Sequence, residues 1–522
     1  MDKQAITTSK RLVYNTATNL LTFATNAVIG FFLIRFFLGQ LGPARYGLWL
    51  LVGGSIFRYG GLLNMGLNSA INRYIPVYLA QNDRDGIQRV VNTSFFFFIA
   101  LASVLVAASV VIYFNFSSWF AVSAELVPIG KVLVLIVGFC LASAIPLQLS
   151  SAVLSGLQRY DVMNLATLAT LLVRTILLVV LLLRGHGLLT MGIAFGSSEI
   201  ALRVLQTILA RRLLPQFSLS LAKVDVALLR EMLGYGINTF LYAAGAVIIY
   251  QASTTIIGIF IGEEEISQFM TAAAGVVLLS QSLRAFTRAI KPAVSDLDAR
   301  NDRARVKEIA FLSQKYSLLL LIPGGCFLVV MGKEFLTIWV GDKFSDPAVI
   351  NTMASILAIL SVGHCLRMAQ YSNFLVLVGR GQHKIFGVLT ALTALLCVSA
   401  SVVSLKVFNA GLLGIAWSNF LPIVLISGVI LPIYFNWKMR ISMSESVRSV
   451  WQPAISGSLP AVAVIVAWKC AAAPNSWLEI LVGVVAVMTV TVVSSWFLGL
   501  DAMERKRFAS ILARKEDVLK NT

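Results

Sequence analysis

The chain has 522 residues, of which 58% are hydrophobic and 13% charged, and its mean hydropathy is +0.84. These values exclude a soluble globular protein, and they predict an all-α integral membrane protein because apolar stretches of about 20 residues, enough to cross a bilayer, recur throughout. The formal net charge of +18 would suit nucleic acid. The basic residues are distributed among short connections between apolar stretches, however, so no nucleic-acid partner is expected.

The apolar stretches predict about fourteen transmembrane helices. They begin near residues 12, 47, 90, 127, 161, 188, 233, 266, 308, 349, 385, 411, 453 and 477. The first stretch follows Lys10 and Arg11 and continues to about Phe37. It is too long for the core of a signal peptide, so it is predicted to remain as a helix.

Lysine and arginine are concentrated in every second connection between these helices. The connections on the same side as the N-terminus include Arg211-Arg212 and the basic run from Arg300 to Lys307, whereas the alternate connections hold few cations. Cytoplasmic connections of membrane proteins carry the excess of lysine and arginine. Both termini are therefore predicted to be cytoplasmic, which agrees with an even number of spans.

Two basic segments share an order of residues. AINRYIPVYLAQNDRDGIQRV from Ala70 and AFTRAIKPAVSDLDARNDRARV from Ala285 both contain Arg, Ile and Pro, then Asn-Asp-Arg, then Arg-Val. This repeat predicts two parallel six-helix lobes. The predicted organisation is a first lobe over 1–210, an amphipathic cytoplasmic linker over 211–232, a second lobe over 233–440, two further helices over 441–500 and a basic cytoplasmic tail over 501–522.

Motifs for metal or nucleotide chemistry are absent from the sequence. The five cysteines and three histidines have no ligand spacing, and there is neither an HExxH motif nor a phosphate-binding Gly-x4-Gly-Lys-Ser/Thr loop. We therefore expect no metal, no cofactor and no catalytic group, and the chain is predicted not to be an enzyme.

Charged residues inside the apolar stretches are mostly arginines, and such residues usually face a protein interior or an aqueous path. Glu199 lies four residues before Arg203, so these two are predicted to pair on one helix face. The other cations inside the stretches have no local carboxylate. Arg35 and Lys315 lie near the ends of their stretches and can extend to the membrane interface.

The arginines predict a cationic cavity for an anion, since guanidinium groups match phosphate oxygens. The predicted lining residues are Arg58, Arg174, Arg284, Arg367, Arg288 and Arg73, with Asn64, Asn68 and Gln281 as supporting polar groups. Arg73 and Arg288 occupy equivalent places in the repeat, where they either mark the inner mouth of the cavity or only anchor the topology. The polar groups suit sugar hydroxyls, but also contacts between helices.

Over essentially its whole length, the chain resembles the polysaccharide-biosynthesis flippases of the multidrug/oligosaccharidyl-lipid/polysaccharide exporter superfamily, which share a MATE-like fold. The resemblance rests on the first helix, on LGPARYGLW from Leu41, on MGLNSAINRY from Met65 and on the basic segment that follows. Met65 stands where many relatives have Asp, so this position lacks their charge.

The resemblance implies a flippase that moves an undecaprenyl-pyrophosphate-linked oligosaccharide repeat unit from the cytoplasmic to the periplasmic leaflet of the bacterial inner membrane. The product would be O-antigen, capsule or exopolysaccharide. The implied partners are the lipid-linked oligosaccharide, membrane lipid, and the polysaccharide polymerase with its chain-length machinery.

Three other functions remain open. A MATE-type antiporter of small organic cations has the same fold, but carboxylates are scarce within the apolar stretches here. An O-antigen polymerase or ligase is also a basic, multi-span protein, but it carries a large periplasmic loop, and the longest outside segments here, 114–126 and 332–348, are short. An assembly scaffold without transport activity is neither favoured nor excluded by the sequence.

Overall fold

The computed structural model describes residues 2–214, 219–287, 290–344, 346–382, 384–471, 473–507 and 510. Helices account for nearly all of these residues, and none of the described residues lies in a β-strand. The all-α prediction is therefore confirmed for the described part of the chain.

The described residues form twenty α-helices. They are α1 (Asp2–Trp49), α2 (Phe57–Gly60), α3 (Leu67–Ala80), α4 (Arg84–Trp119), α5 (Val127–Ala144), α6 (Leu149–Gly156), α7 (Tyr160–Leu183), α8 (Leu188–Leu213), α9 (Val226–Phe260), α10 (Glu263–Thr287), α11 (Ile290–Ala299), α12 (Arg303–Val330), α13 (Gly332–Val340), α14 (Pro347–Gly379), α15 (Lys384–Lys406), α16 (Gly411–Ile423), α17 (Leu431–Met439), α18 (Met443–Ser446), α19 (Gln452–Ala471) and α20 (Trp477–Ser494). Short π-helical segments continue several of them, among them Val447–Trp451 before α19 and Ser495–Gly499 after α20.

Thirteen helical segments in the described residues are long and apolar enough to cross a membrane. Each predicted span from residue 90 onward corresponds to one of these segments. The first two predicted spans both fall within the helical segment Leu21–Gly60. At Gly42 the backbone is non-helical, with φ 76° and ψ 164°, so a kink separates two helices within α1 close to the predicted boundary between these spans. The number thirteen counts the two parts of this segment together.

The chain divides into two compact units. The first contains the chain up to Thr271 together with Gly387–Leu412, and the second contains Ala272–Phe386 and Leu413–Thr522. In the first unit, fully buried side chains from α3, α4, α5 and α6 form an apolar core that the start of α9 completes with Leu228 and Met232. The lobe boundaries derived from the repeat remain a prediction.

The basic segment after the second predicted span begins with a sharp break in the helix. Met65 and Gly66 both have positive φ, 48° and 79°, and α3 starts immediately after them. The side chain of Asn64 stabilises this turn, because its Nδ2 donates to the carbonyl of Gly61 at 2.6 Å and its Oδ1 accepts the N–H of Gly66 at 3.0 Å. Asn64 thus has a structural role that is independent of any ligand.

The predicted linker over 211–232 consists of several short pieces, of which residues 215–218 lie outside the described residues. Val226, Leu229 and Leu233, which have the spacing of one helix face, belong to the first turns of α9. Asp225 caps this helix, since its Oδ1 accepts the N–H of Leu228 at 2.9 Å. This hydrogen bond lowers the pKa of Asp225 below its usual value.

Candidate functional site

Two arginines of the first unit share one carboxylate. Nη2 of Arg203 donates to Oε1 of Glu199 at 2.6 Å, one helical turn apart in α8. This confirms the predicted pair. Nη1 of Arg174, in the neighbouring α7, lies 4.0 Å from Oε2 of the same glutamate. Arg174 has no carboxylate beside it along its own helix, as expected, but Glu199 reaches it from another helix, a contact that spacing along one helix cannot reveal.

These three residues line a pocket of about 270 Å³ within the first unit. The other lining residues are Asn26, Ser151, Met163, Thr167, Thr170, Leu171, Leu202 and Gln206. Nη1 of Arg203 donates to Oε1 of Gln206 at 3.0 Å, and the guanidinium carbon of Arg174 lies 4.5 Å from the centre of the Phe195 ring. The pocket is polar, and Glu199 compensates part of its positive charge, so it suits hydroxyl groups better than a phosphate.

A second cationic group lies within the second unit. On α14, His364, Arg367 and Tyr371 are separated by three and then four residues, a spacing that places them on one face of the helix. The guanidinium carbon of Arg284, in α10, lies 5.6 Å from the centre of the Tyr371 ring. His364 lies within electrostatic range of both Arg367 and Arg284. We call these four residues, Arg284, His364, Arg367 and Tyr371, the α10–α14 cluster.

Close packing holds α14 in position beside α12. The hydroxyl oxygens of Ser317 and Ser372 lie 2.7 Å apart, and Sγ of Cys365 donates to the carbonyl of Leu321 at 3.6 Å. A Cβ atom added at Gly325 would lie only 2.7 Å from the Cys365 sulfur, so the absence of a side chain there permits this approach. Because Arg367 extends from this tightly packed helix, its guanidinium group has a restricted position.

The α10–α14 cluster is surrounded by apolar side chains. Leu283 and Met368, the chain neighbours of its two arginines, are almost completely buried in a core that also contains residues of α12 and α19. Arg367 itself is only 7% exposed and His364 6%. Low polarity of the surroundings strengthens electrostatic attraction between these cations and an anion.

The remaining predicted site residues do not join this cluster. Arg58 and Arg73 belong to the first unit and are exposed, and the Arg73 guanidinium carbon lies 4.5 Å from the centre of the Tyr235 ring. Asn68, also in the first unit, is half-buried, and its buried Oδ1 has no hydrogen-bond partner among the described residues. In the second unit, Gln281 is exposed. Arg288 lies outside the described residues.

The structure also reveals participants that the sequence did not single out as site residues. His364 and Tyr371 were not predicted, although their spacing from Arg367 could have indicated a shared helix face. Lys315 was expected to extend to the membrane interface, but it is buried and lies 2.5 Å from Oε1 of Glu504. Glu504 is 189 positions away along the chain, so no local pattern could have identified the pair.

Metal ligation has no visible basis in the described residues, because no three His, Cys, Asp or Glu side chains are grouped to hold an ion. The cysteines there are free thiols. The chemistry available in the two sites is therefore electrostatic attraction and hydrogen bonding.

The sequence matches one protein family over residues 44–349, and this family is described as polysaccharide biosynthesis protein. The match covers more than half of the chain. A comparison with curated proteins finds no match.

Solved structures of transporters share the fold. The lipid II flippase MurJ in an inward closed conformation has a TM-score of 0.70 at 14% identity, with 93% of this chain and 98% of that chain covered. An inward-facing multidrug resistance MATE transporter of the MOP superfamily has a TM-score of 0.59 at 13% identity, with 82% and 94% covered. A MOP superfamily transporter from Pyrococcus furiosus, for which a binding pocket of reverse polarity suggests a different function, has a TM-score of 0.59 at 14% identity, with 83% and 96% covered.

The family match and the shared fold lead to one classification. The chain belongs to the polysaccharide biosynthesis protein family and is a multi-pass membrane protein with the fold of MOP superfamily transporters.

Proposed function

We propose that the protein is a flippase for an undecaprenyl-pyrophosphate-linked oligosaccharide repeat unit, which it moves from the cytoplasmic to the periplasmic leaflet during the synthesis of a surface polysaccharide such as O-antigen, capsule or exopolysaccharide. The observation that carries this proposal is the α10–α14 cluster. In it, Arg284 lies against Tyr371, one helical turn along α14 from the buried Arg367, in a member of a polysaccharide biosynthesis family.

The charge of the cluster suits the head of such a lipid. A pyrophosphate presents several anionic oxygens in a small volume, and two guanidinium groups donate paired hydrogen bonds to this geometry. The Tyr371 hydroxyl and the His364 imidazole, each about one turn from Arg367 on α14, add further hydrogen-bonding groups. The oligosaccharide would then occupy polar surfaces, while the polyprenyl chain stays in the bilayer.

The remaining parts of the proposal concern the membrane. We infer a bacterial inner-membrane location with both termini cytoplasmic, from the placement of lysine and arginine. We also infer that two parallel six-helix lobes, 1–210 and 233–440, alternate between inward and outward openings. Transport needs no covalent step, so no enzymatic activity or cofactor is proposed. The polymerase and its chain-length machinery would receive the product.

The runner-up is a MATE-type antiporter of small organic cations, which the shared fold allows. The sign of the charges opposes it. The two charged groups that act on His364 are both arginines, and a cation would be repelled from this place. Glu199, the carboxylate near the middle of α8, already accepts a hydrogen bond from Arg203.

A depletion strain tests the proposal directly. Loss of the protein should cause lipid-linked repeat units to accumulate on the cytoplasmic side, where an added periplasmic glycosidase or lectin cannot reach them. Re-expression of the wild-type chain should restore their access and the surface polymer. Normal surface polysaccharide after depletion, or accumulation on the periplasmic side, would contradict flipping and favour the antiporter or a later step.

A further inference from the structure

The second unit contains another pocket, of about 460 Å³, that none of the predicted site residues lines. It lies between the first turns of α12, the segment Val447–Trp451 with the start of α19, and the chain that follows Ser495–Gly499. Nζ of Lys307 lies 2.8 Å from Oε1 of Glu445, and Arg507 forms an ion pair with Glu308. These pairs tie the three segments together at one end of the helices.

One wall of this pocket is apolar and continues onto the outer surface of the helices. Its apolar lining residues are Phe311, Leu312, Pro453, Leu498, Leu500 and Met503. Leu498 is 54% exposed, and nearby Phe497 and Ile455 are also exposed. Exposed apolar side chains on membrane helices contact lipid chains. The pocket therefore opens beside a lipid-facing surface, at the level where helices end and head groups begin.

Three basic and three acidic residues line the pocket, but not all of them form ion pairs with one another. Lys315 pairs with Glu504, and Arg507 with Glu308. The Arg448 side chain is exposed and makes no hydrogen bond or ion pair within the described part of the chain. One oxygen of Asp501 accepts the N–H of Glu504 at 2.8 Å. The pocket thus has a positive pole at Arg448 and a carboxylate at Asp501 that still has room to accept hydrogen bonds.

We propose that this pocket binds one zwitterionic membrane phospholipid that carries a phosphate and a primary ammonium group. The phosphate accepts hydrogen bonds from the Arg448 guanidinium, and the ammonium donates to the Asp501 carboxylate. The acyl chains lie along the exposed apolar surface of α19 and the Ser495–Gly499 segment. Glu308 is already paired with Arg507, so Asp501 is the carboxylate that disfavours a head group with negative charge alone, and the two poles favour the zwitterion.

Pockets with basic residues at the cytoplasmic ends of membrane helices commonly hold lipid head groups. In the proposed orientation this end faces the cytoplasm, so the lipid would come from the inner leaflet. It would fasten α19 and the chain after Gly499 to the start of α12. The site lies outside the α10–α14 cluster and does not depend on what the protein transports.

Lipid retention measures this binding. The purified full-length protein is placed in nanodiscs of phosphatidylethanolamine and phosphatidylglycerol in equal amounts, extracted into mild detergent, and analysed by native mass spectrometry. The wild-type protein should retain one phosphatidylethanolamine. Arg448→Ala should retain about tenfold less, the loss expected for a charge-assisted hydrogen bond. Asp501→Asn, which keeps a capping oxygen, should shift retention towards phosphatidylglycerol.

Arg303→Ala is the matched control, because Arg303 is an exposed arginine at the same end of α12 and outside the pocket. It should retain lipid as the wild type does. Equal retention by wild type and Arg448→Ala, or no preference for phosphatidylethanolamine in the wild type, would overturn the proposal. Displacement of the lipid by millimolar inorganic pyrophosphate would instead identify the site as one for a diphosphate. Polysaccharide export by Arg448→Ala reports separately on the flippase function.

Discussion

Nζ of Lys315, in α12, lies 2.5 Å from Oε1 of Glu504, and the two side chains are only 6% and 5% exposed. The hydroxyl of Tyr316 also donates to this oxygen, at 3.3 Å. Oε2 of Glu504 accepts the N–H of Asp501 at 2.7 Å, while Oδ1 of Asp501 accepts the N–H of Glu504. This reciprocal pattern is a capping box. Glu504 therefore connects the start of a helical turn to the buried middle of α12.

Removal of one partner should destabilise the protein strongly, because it leaves a buried charge without compensation. We expect Glu504→Ala to cost about 3–5 kcal/mol, measured as a lower thermal midpoint in detergent. The double replacement Lys315→Met with Glu504→Gln should recover most of the loss. Arg300→Ala removes an exposed pair with Asp296 and serves as the control. If the thermal midpoint of Glu504→Ala equals that of Arg300→Ala, the buried pair does not stabilise the protein.

Replacement of Arg284 or Arg367 by Ala should reduce export of surface polysaccharide without lowering the amount of protein in the membrane. Each loss removes charge-assisted hydrogen bonds worth about 1.5–3 kcal/mol, equivalent to at least about tenfold in affinity. Arg284→Lys should restore function only partly, since lysine lacks the planar fork. Arg300→Ala should export normally. Wild-type export by both alanine variants would refute a role for the cluster in cargo binding.

The backbone of Gly66, at the N-terminus of α3, is in contact with the backbone of Gly236 in α9. A Cβ atom built at Gly236 would lie 2.7 Å from the carbonyl oxygen of Gly66, and Gly66 itself has φ 79°. We expect Gly66→Ala to cost about 1–3 kcal/mol and to impair transport. Gly61→Ala is the control, since a Cβ there meets nothing within 4 Å. Thermal midpoints and export should separate the two variants, and equal values would contradict the close contact.

Glu199 compensates two arginines of different helices, so its removal should matter more than the removal of either arginine alone. Because these side chains are about 20% exposed, we expect Glu199→Ala to cost about 1–3 kcal/mol. Glu199→Gln should cost less, since an amide oxygen can still accept from Arg203. Thermal midpoints in a double-mutant cycle with Arg203→Ala would measure the coupling. A coupling energy of zero would exclude the pair as a stabilising interaction.

The cap at Asp225 predicts a dependence on pH. Its pKa is lowered in the folded chain, so the capping contribution is present above the unfolded pKa and disappears as the pH falls through the folded value. Hydrogen exchange of the first turn of α9, corrected for chemical exchange rates, should accelerate as the pH falls below about 4, the usual pKa of an aspartate. Asp225→Asn should show a smaller change because an amide caps without titrating. The same acceleration in both proteins would disprove this account.

Much of the fold could be predicted because membrane crossing depends on local composition. A helix needs about 20 apolar residues to cross the hydrocarbon core, and every predicted span after the second corresponds to an apolar helix of the structure. The first two predicted spans are separated in the structure by the kink at Gly42, where the backbone is non-helical.

The sequence by itself determined the helical membrane fold, the family resemblance and the pair of Glu199 with Arg203, since all of these follow from composition, motifs or spacing along one helix. Only the tertiary structure decided which other side chains the buried cations contact. Arg174 reaches Glu199 from another helix, Lys315 meets a carboxylate 189 positions away, and Arg284 meets Tyr371 across two helices. The physical reason is that helix packing brings distant residues together, and spacing along the chain does not record which faces will pack.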